Sequence, residues 1–431
     1  MNHFTDLPTH WESSRIDRVA TVNARIGWKA LTAAEYQHEG YAFLATPNIK
    51  NSEIDFENVN FVSEFRYRES PELQLTKGDV LLTKDGFTLG TVNVVRDLPR
   101  PATVNGSIAV LRPFGIHPGF LRYVIASAIT QAHIQAVKDG MDVLHLFQRD
   151  IKKLPVPLPP YQEQRRIANF LDTETARINQ LLGGRQRQVA LLHERRTSVL
   201  TECVTYNEAD AHAHELVGKI RADWPVLPLR RILPGINVGV VINPSTHFTK
   251  EGIPFIHGFN VRSGYIERNG MKYMSPESNS LLRRSRVRVG DTLVVRAGSP
   301  GRAAVVTREY DGANCASVLI LRRSERVIPE FLAAFLNSPA GQGQVRFSQY
   351  GAAQEVISAS QALAFVMPLP DTETQQSRVK SLNESVAEIQ RMGQKLEQQL
   401  HLLAERRSAL ITAAVTGQVD VSTASGRGIE D

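Results

Sequence analysis

The stretch Leu191–Arg196, LLHERR, returns at Leu402–Arg407 as LLAERR, 211 residues further along the chain. Pro157-Leu158-Pro159 returns at the same displacement as Pro368-Leu369-Pro370, and Phe120-Leu121 as Phe331-Leu332. Gly78-Asp79 with Gly86 matches Gly290-Asp291 with Gly298 at 212, Asn48-Ile49 matches Asn260-Val261 at 212, and Trp11 finds Trp224 at 213. A near-constant displacement along the chain marks a tandem duplication of a unit of about 210 residues, which predicts pseudo-twofold character.

Each copy divides into a globular part and a long helix. Short β-rich runs bounded by Gly and Pro, such as Asp79 to Thr83 and Asp291 to Arg296, give mixed α and β domains over 1–153 and 212–366. A proline-rich hinge follows each, Leu154 to Pro160 (LPVPLPP) and Met367 to Pro370 (MPLP), where proline stops the preceding structure and sets up an extended approach. Spacer regions with long helices occupy 154–211 and 367–431, the second ending in a short flexible tail.

In the second spacer Leu382, Val386, Ile389, Gly393, Leu396, Leu400, Leu403, Arg407, Leu410 and Ala414 follow alternating steps of four and three, a heptad seam. The first carries Leu171, Thr175, Ile178, Leu182, Arg185, Val189, Leu192, Arg196, Val199 and Cys203 in the same rhythm. One explanation accounts for both: the helices pair with each other, antiparallel because a globular domain and its return path separate them. The competing explanation packs each helix on its own domain. From Leu171 to Cys203 the helix would span roughly 50 Å.

The 431 residues exclude a single small module, and 42% hydrophobic with 22% charged residues suffice for a buried core. Two cysteines, Cys203 and Cys315, cannot build a disulfide framework or a four-thiolate zinc site, so a reducing, cytoplasmic setting is expected. Met1 to Trp11 lacks a signal-peptide pattern, and no apolar run is long enough to span a bilayer. A net charge of +6 and a pI near 9.3 suit a polyanionic partner, and 38 Arg against 12 Lys suit phosphates and guanine edges, although a GC-rich genome would also favour Arg.

Catalytic signatures fail on inspection. Pro159-Pro160-Tyr161 resembles part of an adenine methyltransferase motif, but Leu158 cannot accept from an exocyclic amine, so the prolines read as the start of a helix. Gly341-Gln342-Gly343-Gln344-Val345-Arg346 lacks the third glycine and the preceding strand of a dinucleotide fingerprint, and no phosphate loop occurs. His212 and His214 have no cysteine or carboxylate cluster at ligand spacing, and no Ser or Cys stands in a nucleophile elbow. No catalytic, cofactor or metal residues are expected.

Two domains, two heptad helices, a duplication and no catalytic site resemble the specificity subunit of a type I restriction-modification enzyme, the HsdS family. The junctions carry the similarity most specifically: Arg149 to Pro160 (RDIKKLPVPLPP) followed by Glu163-Gln164-Arg165-Arg166-Ile167, and the helix ends Leu191 to Thr205 and Leu402 to Val421. The paired Gly-Asp hairpins, Lys77 to Gly90 and Val289 to Gly301, are also similar. The second junction, Asp371-Thr372-Glu373-Thr374-Gln375-Gln376, departs from the family's usual proline, acid and glutamine.

The resemblance implies an α+β protein with two mixed α/β target-recognition domains separated by two long helices in an antiparallel coiled coil. Each domain would read one half of a bipartite double-stranded DNA site, with the helices setting the half-site spacing. It implies two methyltransferase subunits and two restriction subunits as partners, with S-adenosylmethionine, ATP and Mg on those partners and none on this chain. Base contacts need side chains on loops or element ends that reach a groove, whereas phosphate contacts need only positive charge. The candidates are Asn48, Lys50, Arg66, Arg68, Lys84 and Arg96 in the first domain, and Asn260, Arg262, Arg268, Lys272, Arg296 and Arg302 in the second. Asn48 with Asn260 and Lys84 with Arg296 are repeat-equivalent, so a shared docking mode could use both pairs. Arg283, Arg284 and Arg286 read as a phosphate clamp, because closely spaced cations lack a fixed groove geometry. A self-contained DNA methyltransferase and a coiled-coil scaffold without nucleic-acid affinity are the other readings.

Overall fold

The computed structural model describes residues 4, 7–24, 33–140, 144–206, 211–241, 245–349 and 356–421; the expected tail beyond Val421 lies outside them. Two compact units form, Met1–Arg187 with Glu397–Asp431, and Gln188–Leu396. Each therefore combines one domain with portions of both long helices.

In the first unit Val80–Thr83, Val92–Val94, Ile108–Pro113 and Ala20–Asn23 make a four-stranded antiparallel sheet, with Val80–Thr83 and Ile108–Pro113 central. Beside it Tyr41–Leu44 lies between Asn60–Val62 and Ala102–Val104, the latter pair parallel. The second unit repeats this plan. Thr292–Val295, Ala303–Val305, Val318–Leu321 and Ile236–Val238 make the antiparallel sheet, and Ile253–His257 pairs antiparallel with Lys272–Met274 and parallel with Asn314–Ala316. The central runs Val80–Thr83 (VLLT) and Thr292–Val295 (TLVV) are fully buried, as β-branched and leucine residues packed on both faces should be.

The repeated Gly-Asp motif now has a cause. Gly78 (φ 94°) and Gly290 (φ 85°) adopt the left-handed backbone of a tight turn. The buried Asp79 that follows accepts from the Thr76 amide at 2.8 Å and from Arg112 Nε at 2.8 Å. Asp291 does the same with the Arg288 amide at 2.9 Å and Arg322 Nη1 at 2.7 Å. The hydrogen bond from Arg112 to Asp79 also holds the guanidinium's proton more tightly than usual.

Each domain closes on itself before its helix begins. Glu12–Arg15 pairs antiparallel with Pro155–Leu158, and Val226–Pro228 with Val366–Pro368, so the hinge prolines edge two-stranded ribbons. The first long helix opens at Tyr161, directly after Pro159-Pro160, as the helix-start reading requires. Gln164 locks it: Oε1 accepts from the His117 amide at 2.8 Å and Nε2 donates to the Pro159 carbonyl at 2.8 Å. At the junction that departs in sequence, Gln375 makes the same two bonds, to the Ile328 amide and the Pro370 carbonyl, both at 2.8 Å. Asp371 caps that helix by accepting from the Thr374 amide at 2.9 Å.

The helices run Tyr161–Val204 and Thr372–Val415, 44 residues each and so roughly 66 Å long, longer than Leu171 to Cys203. Every seam position of both series is buried or half-buried, whereas flanking Arg177, Glu194, Glu388 and Glu405 are exposed. In the first unit Ile167, Phe170 and Leu171, from the start of one helix, share a core with Ile411, Ala414 and Val415, from the end of the other. In the second, Val199, Cys203 and Val204 share a core with Val379 and Leu382. Start meets end in both units, which is antiparallel pairing and removes the alternative of two helices packed only on their own domains.

The broken glycine fingerprint has a packing role. Gly341 lies in the helix Pro339–Gln349 against the Phe335 carbonyl, where any side chain would collide. Gln342 beside it donates to the carbonyls of Gly301 and Leu336, as Gln131 does to Gly90 and Ile125 in the first unit. Cys203 and Cys315 are buried free thiols, and burial pushes Cys203 up to about 12 and Cys315 upward as well, so neither is an accessible thiolate. Among the described residues no helix is long and apolar enough to cross a membrane.

Candidate nucleic-acid interface

The two copies build the same small hairpin from different residues. In the first unit Ile49 bridges Ile54, the Lys50 amide donates to the Glu53 carbonyl, and Lys50 Nζ pairs with Asp55 at 3.0 Å. In the second Val261 bridges Ile266, the Arg262 amide donates to the Tyr265 carbonyl, and Arg262 pairs with Glu267 at 2.6 Å. Hydrogen bonds from the Asn58 backbone and side chain, and then from Lys50, hold the Asp55 carboxyl well below its ordinary range. Lys50 and Arg262 thus lie at the same hairpin position, each already neutralised by its own carboxylate.

Asn48 and Asn260, expected at the surface, are buried inside the base of this hairpin. Asn48 Oδ1 accepts from the Ala45 amide at 2.8 Å and Nδ2 donates to the Asn58 carbonyl at 2.7 Å. Asn260 Oδ1 accepts from the His257 amide at 3.0 Å, while Nδ2 donates to the carbonyls of Glu267 and Asn269. Their carboxamides satisfy backbone groups that the single 3₁₀ turns before them leave open, so here the asparagines hold the loop instead of presenting a base-reading edge.

Lys84 and Arg296 lie at matching ends of the central strands, where their amides donate to Ser107 and Ser317 carbonyls. Each opens a loop carrying two left-handed glycines, Gly86 and Gly90 in one, Gly298 and Gly301 in the other. Their electrostatics differ. Lys84 pairs with Asp85 at 2.8 Å, and Asp85 also contacts His145 Nδ1 at 2.9 Å. The place of Asp85 is taken by Ala297 in the second unit, so this local carboxylate is missing beside Arg296. Phe87, at the tip of the first loop, is fully exposed, a residue the charge-based reading passed over.

The remaining candidates separate by what holds them. Arg66 is clamped between Glu35 at 2.6 Å and Glu69 at 3.1 Å, Arg68 pairs with Glu64, Arg96 with Asp172, and Arg268 with Glu309. Arg286 donates to the Asn279 carbonyl, while Arg283 and Arg284 are exposed on a 3₁₀ turn. Among the described residues Lys272, Arg283, Arg284, Arg296 and Arg302 form no ion pair. Paired cations can still meet a phosphate by exchanging partners, but the free ones need no exchange. His212 and His214 lie on the strand Ala211–His214, and no group of three or more potential metal ligands occurs among the described residues.

Residues 8–190 match the family model described as the type I restriction modification DNA specificity domain. The chain is similar to the EcoKI specificity subunit of Escherichia coli, 21% identical over 96% of this chain and 90% of that protein. It is likewise similar to the putative MjaX specificity subunit of Methanocaldococcus jannaschii, 23% identical over 97% of this chain and 96% of that one. Both relatives are named as subunits of type I restriction enzymes. A chain from a solved structure concerned with complex assembly and conformational transition of the type I R-M system shares the fold, with a TM-score of 0.72 and 16% identity over 96% of this chain and all of the other.

Proposed function

We propose that this chain, whose residues 8–190 match the family model described as the type I restriction modification DNA specificity domain, is the specificity subunit of a type I restriction-modification complex. Each domain reads one half of a bipartite double-stranded DNA site, and the paired helices set the spacing between the halves. The observation that carries this reading is the duplication itself: two domains with the same sheet plan, to which the second adds the short strand Phe248–Thr249, and with the same hairpins and Gly-Asp turns present basic loops at matching positions. Half-sites read from one DNA face must lie about one helical turn, 34 to 36 Å, apart or a multiple of that, a distance that helices of roughly 66 Å are long enough to set.

On this reading the chain is not itself an enzyme. Two methyltransferase subunits supply S-adenosylmethionine chemistry and two restriction subunits supply ATP- and Mg-dependent cleavage, all in the cytoplasm. The cations without a carboxylate, Lys272, Arg283, Arg284, Arg296 and Arg302, are the first phosphate contacts of the second domain. Lys50, Lys84, Arg66, Arg68, Arg96, Arg262 and Arg268 reach DNA by releasing a carboxylate.

The test is methylome sequencing of cells carrying this chain with its methyltransferase partner, beside a chimera in which residues 1–153 come from a relative. One half of the methylated sequence should change while the other half and the gap stay the same. A change in both halves, or methylation by the purified chain alone, would overturn the reading.

A further inference from the structure

In both units an arginine grips the same carbonyl of the small hairpin, but the arginines come from different places. In the first unit Arg122, on the helix Pro118–Ala126, donates from Nη2 to the Asn51 carbonyl at 2.7 Å. Its Nη1 reaches Asp172 on the first long helix at 3.3 Å. Asp172 also receives Tyr123 Oη at 2.7 Å and Arg96 at 2.6 Å, so this carboxylate ties the hairpin, the Arg96 loop and the long helix together. In the second unit Ser263 is the equivalent of Asn51, and its carbonyl accepts from Nη2 of Arg196, a seam residue of the first long helix.

The exchange is complete at the sequence level. Where the first copy has Arg122, Tyr123 and Asp172, the second has Ala333, Ala334 and Asn383. The seam arginine does the work instead. The first unit also holds a seam arginine, Arg407 of the second copy and the repeat equivalent of Arg196, but Arg122 already occupies the hairpin carbonyl, and the Nε of Arg407 is buried without a hydrogen-bond partner. Two different routes to one backbone atom indicate that the bond itself matters, beyond the local packing of either arginine. A guanidinium suits the task because its planar fork fixes direction as well as distance.

We propose that Arg122 and Arg196 are positioning residues that fix the orientation of each recognition domain on the long helices, and thereby sharpen the half-site spacing the protein accepts. The proposal rests on the specificity-subunit reading. The hairpin turn is a rigid part of its domain, since the buried Asn48 or Asn260 carboxamide binds backbone groups on both sides of it. Tying that turn to a helix resists rocking of the domain, and rocking is the motion that would let a domain meet a half-site displaced by one base pair.

The experiment measures methylation by the complex of this chain with its methyltransferase partner. Substrates are duplexes with the natural gap and with gaps one base pair shorter and longer. Arg122→Met and Arg196→Met should each weaken discrimination against the altered gaps by about tenfold, the loss expected from one charge-assisted hydrogen bond. Arg122→Lys and Arg196→Lys should restore part of it, and discrimination among bases within each half-site should stay at the wild-type level. Unchanged gap discrimination in variants that melt like wild type would overturn the proposal, as would relaxed base discrimination at an unchanged gap. Should buried Arg122→Met fail to fold, the half-buried Arg196 variants decide the matter with the same readout. A wild-type complex with no sequence or gap preference would instead sink the specificity-subunit reading.

Discussion

Gln164 and Gln375 stand 211 residues apart and close the same loop: each side chain accepts from the backbone amide that precedes a domain helix and donates to a hinge-proline carbonyl, Pro159 or Pro370, just before a long helix. Both are almost fully buried, so neither the amide nor the carbonyl has ready access to water. Leucine at either position would fill similar space and strand one donor and one acceptor, each costing roughly 1 to 3 kcal/mol. Gln164→Leu should therefore lower unfolding stability by about 2 kcal/mol or more. Hydrogen exchange should localise the loss to amides near His117 and the start of the first long helix, with Gln375→Leu acting near Ile328. Equal loosening of both junctions by one substitution would argue against two separate latches.

Asp79 and Asp291 support a second prediction. Each is buried at 1% and 2% exposure, with an arginine and a backbone amide on its carboxylate. Removing the carboxylate strands the amide it caps and leaves a guanidinium that water reaches only in part, 37% exposed at Arg112 and 22% at Arg322, at a cost of roughly 1 to 3 kcal/mol. Asp79→Ala should thus destabilise the first unit more than removal of the exposed Arg68–Glu64 pair, for which less than about 1 kcal/mol is expected. Adding Arg112→Met to Asp79→Ala should recover part of the loss, because the unpaired guanidinium disappears with it. Denaturant melts of the single and double variants check this, and purely additive losses would show that the two residues are not coupled.

These pairs also show what the sequence could and could not disclose. The duplication, the seams and the central strands were legible because each depends on spacing along the chain, and the pattern of Leu171 to Cys203 maps directly onto burial. The burial of Asn48 and Asn260 is not legible in the sequence, because repeat equivalence signals a shared requirement without saying which one, and here it is a turn. The cations were harder still. Arg66 finds Glu35 from 31 residues away, Arg268 finds Glu309 from 41 and Arg96 finds Asp172 from 76, separations that no local pattern encodes. Gln375 was obscured by the residues around it, although the 211-residue displacement pointed straight at it.

His117 carries a pH dependence. It is half-buried at the first junction, edge-on to Tyr161 at 5.8 Å, with Nδ1 buried and lacking a hydrogen-bond partner. Burial lowers its pKa below the ordinary 6.5, aided by Arg165 and opposed by Asp172. The unfolded chain then binds this proton at a higher pH than the folded one. The stabilisation is therefore present above 6.5 and is lost as pH falls through the folded-state value. His117→Phe keeps the ring against Tyr161 but cannot charge, so its melting temperature should fall less steeply than wild type as the pH drops below 6.5. Parallel curves would show that acid sensitivity arises elsewhere.

The ruler is tested by length. Leu182 and Gly393 are half-buried seam positions within uninterrupted helices, so a heptad inserted after each keeps both seams in phase. Lengthening one helix alone would mismatch its partner, which is why both are extended together. Each insertion adds roughly 10 Å. The two half-sites should keep their sequences while the unspecified gap widens by about three base pairs at 3.4 Å each. Three added pairs also rotate one half-site around the duplex by roughly a third of a turn. Affinity should consequently drop even for the preferred longer gap, because the domains must follow that rotation or twist the DNA to meet it. Methylome sequencing of the double insertion reads the gap directly. An active, folded double insertion that still methylates only the original spacing would mean that the helices do not set the distance.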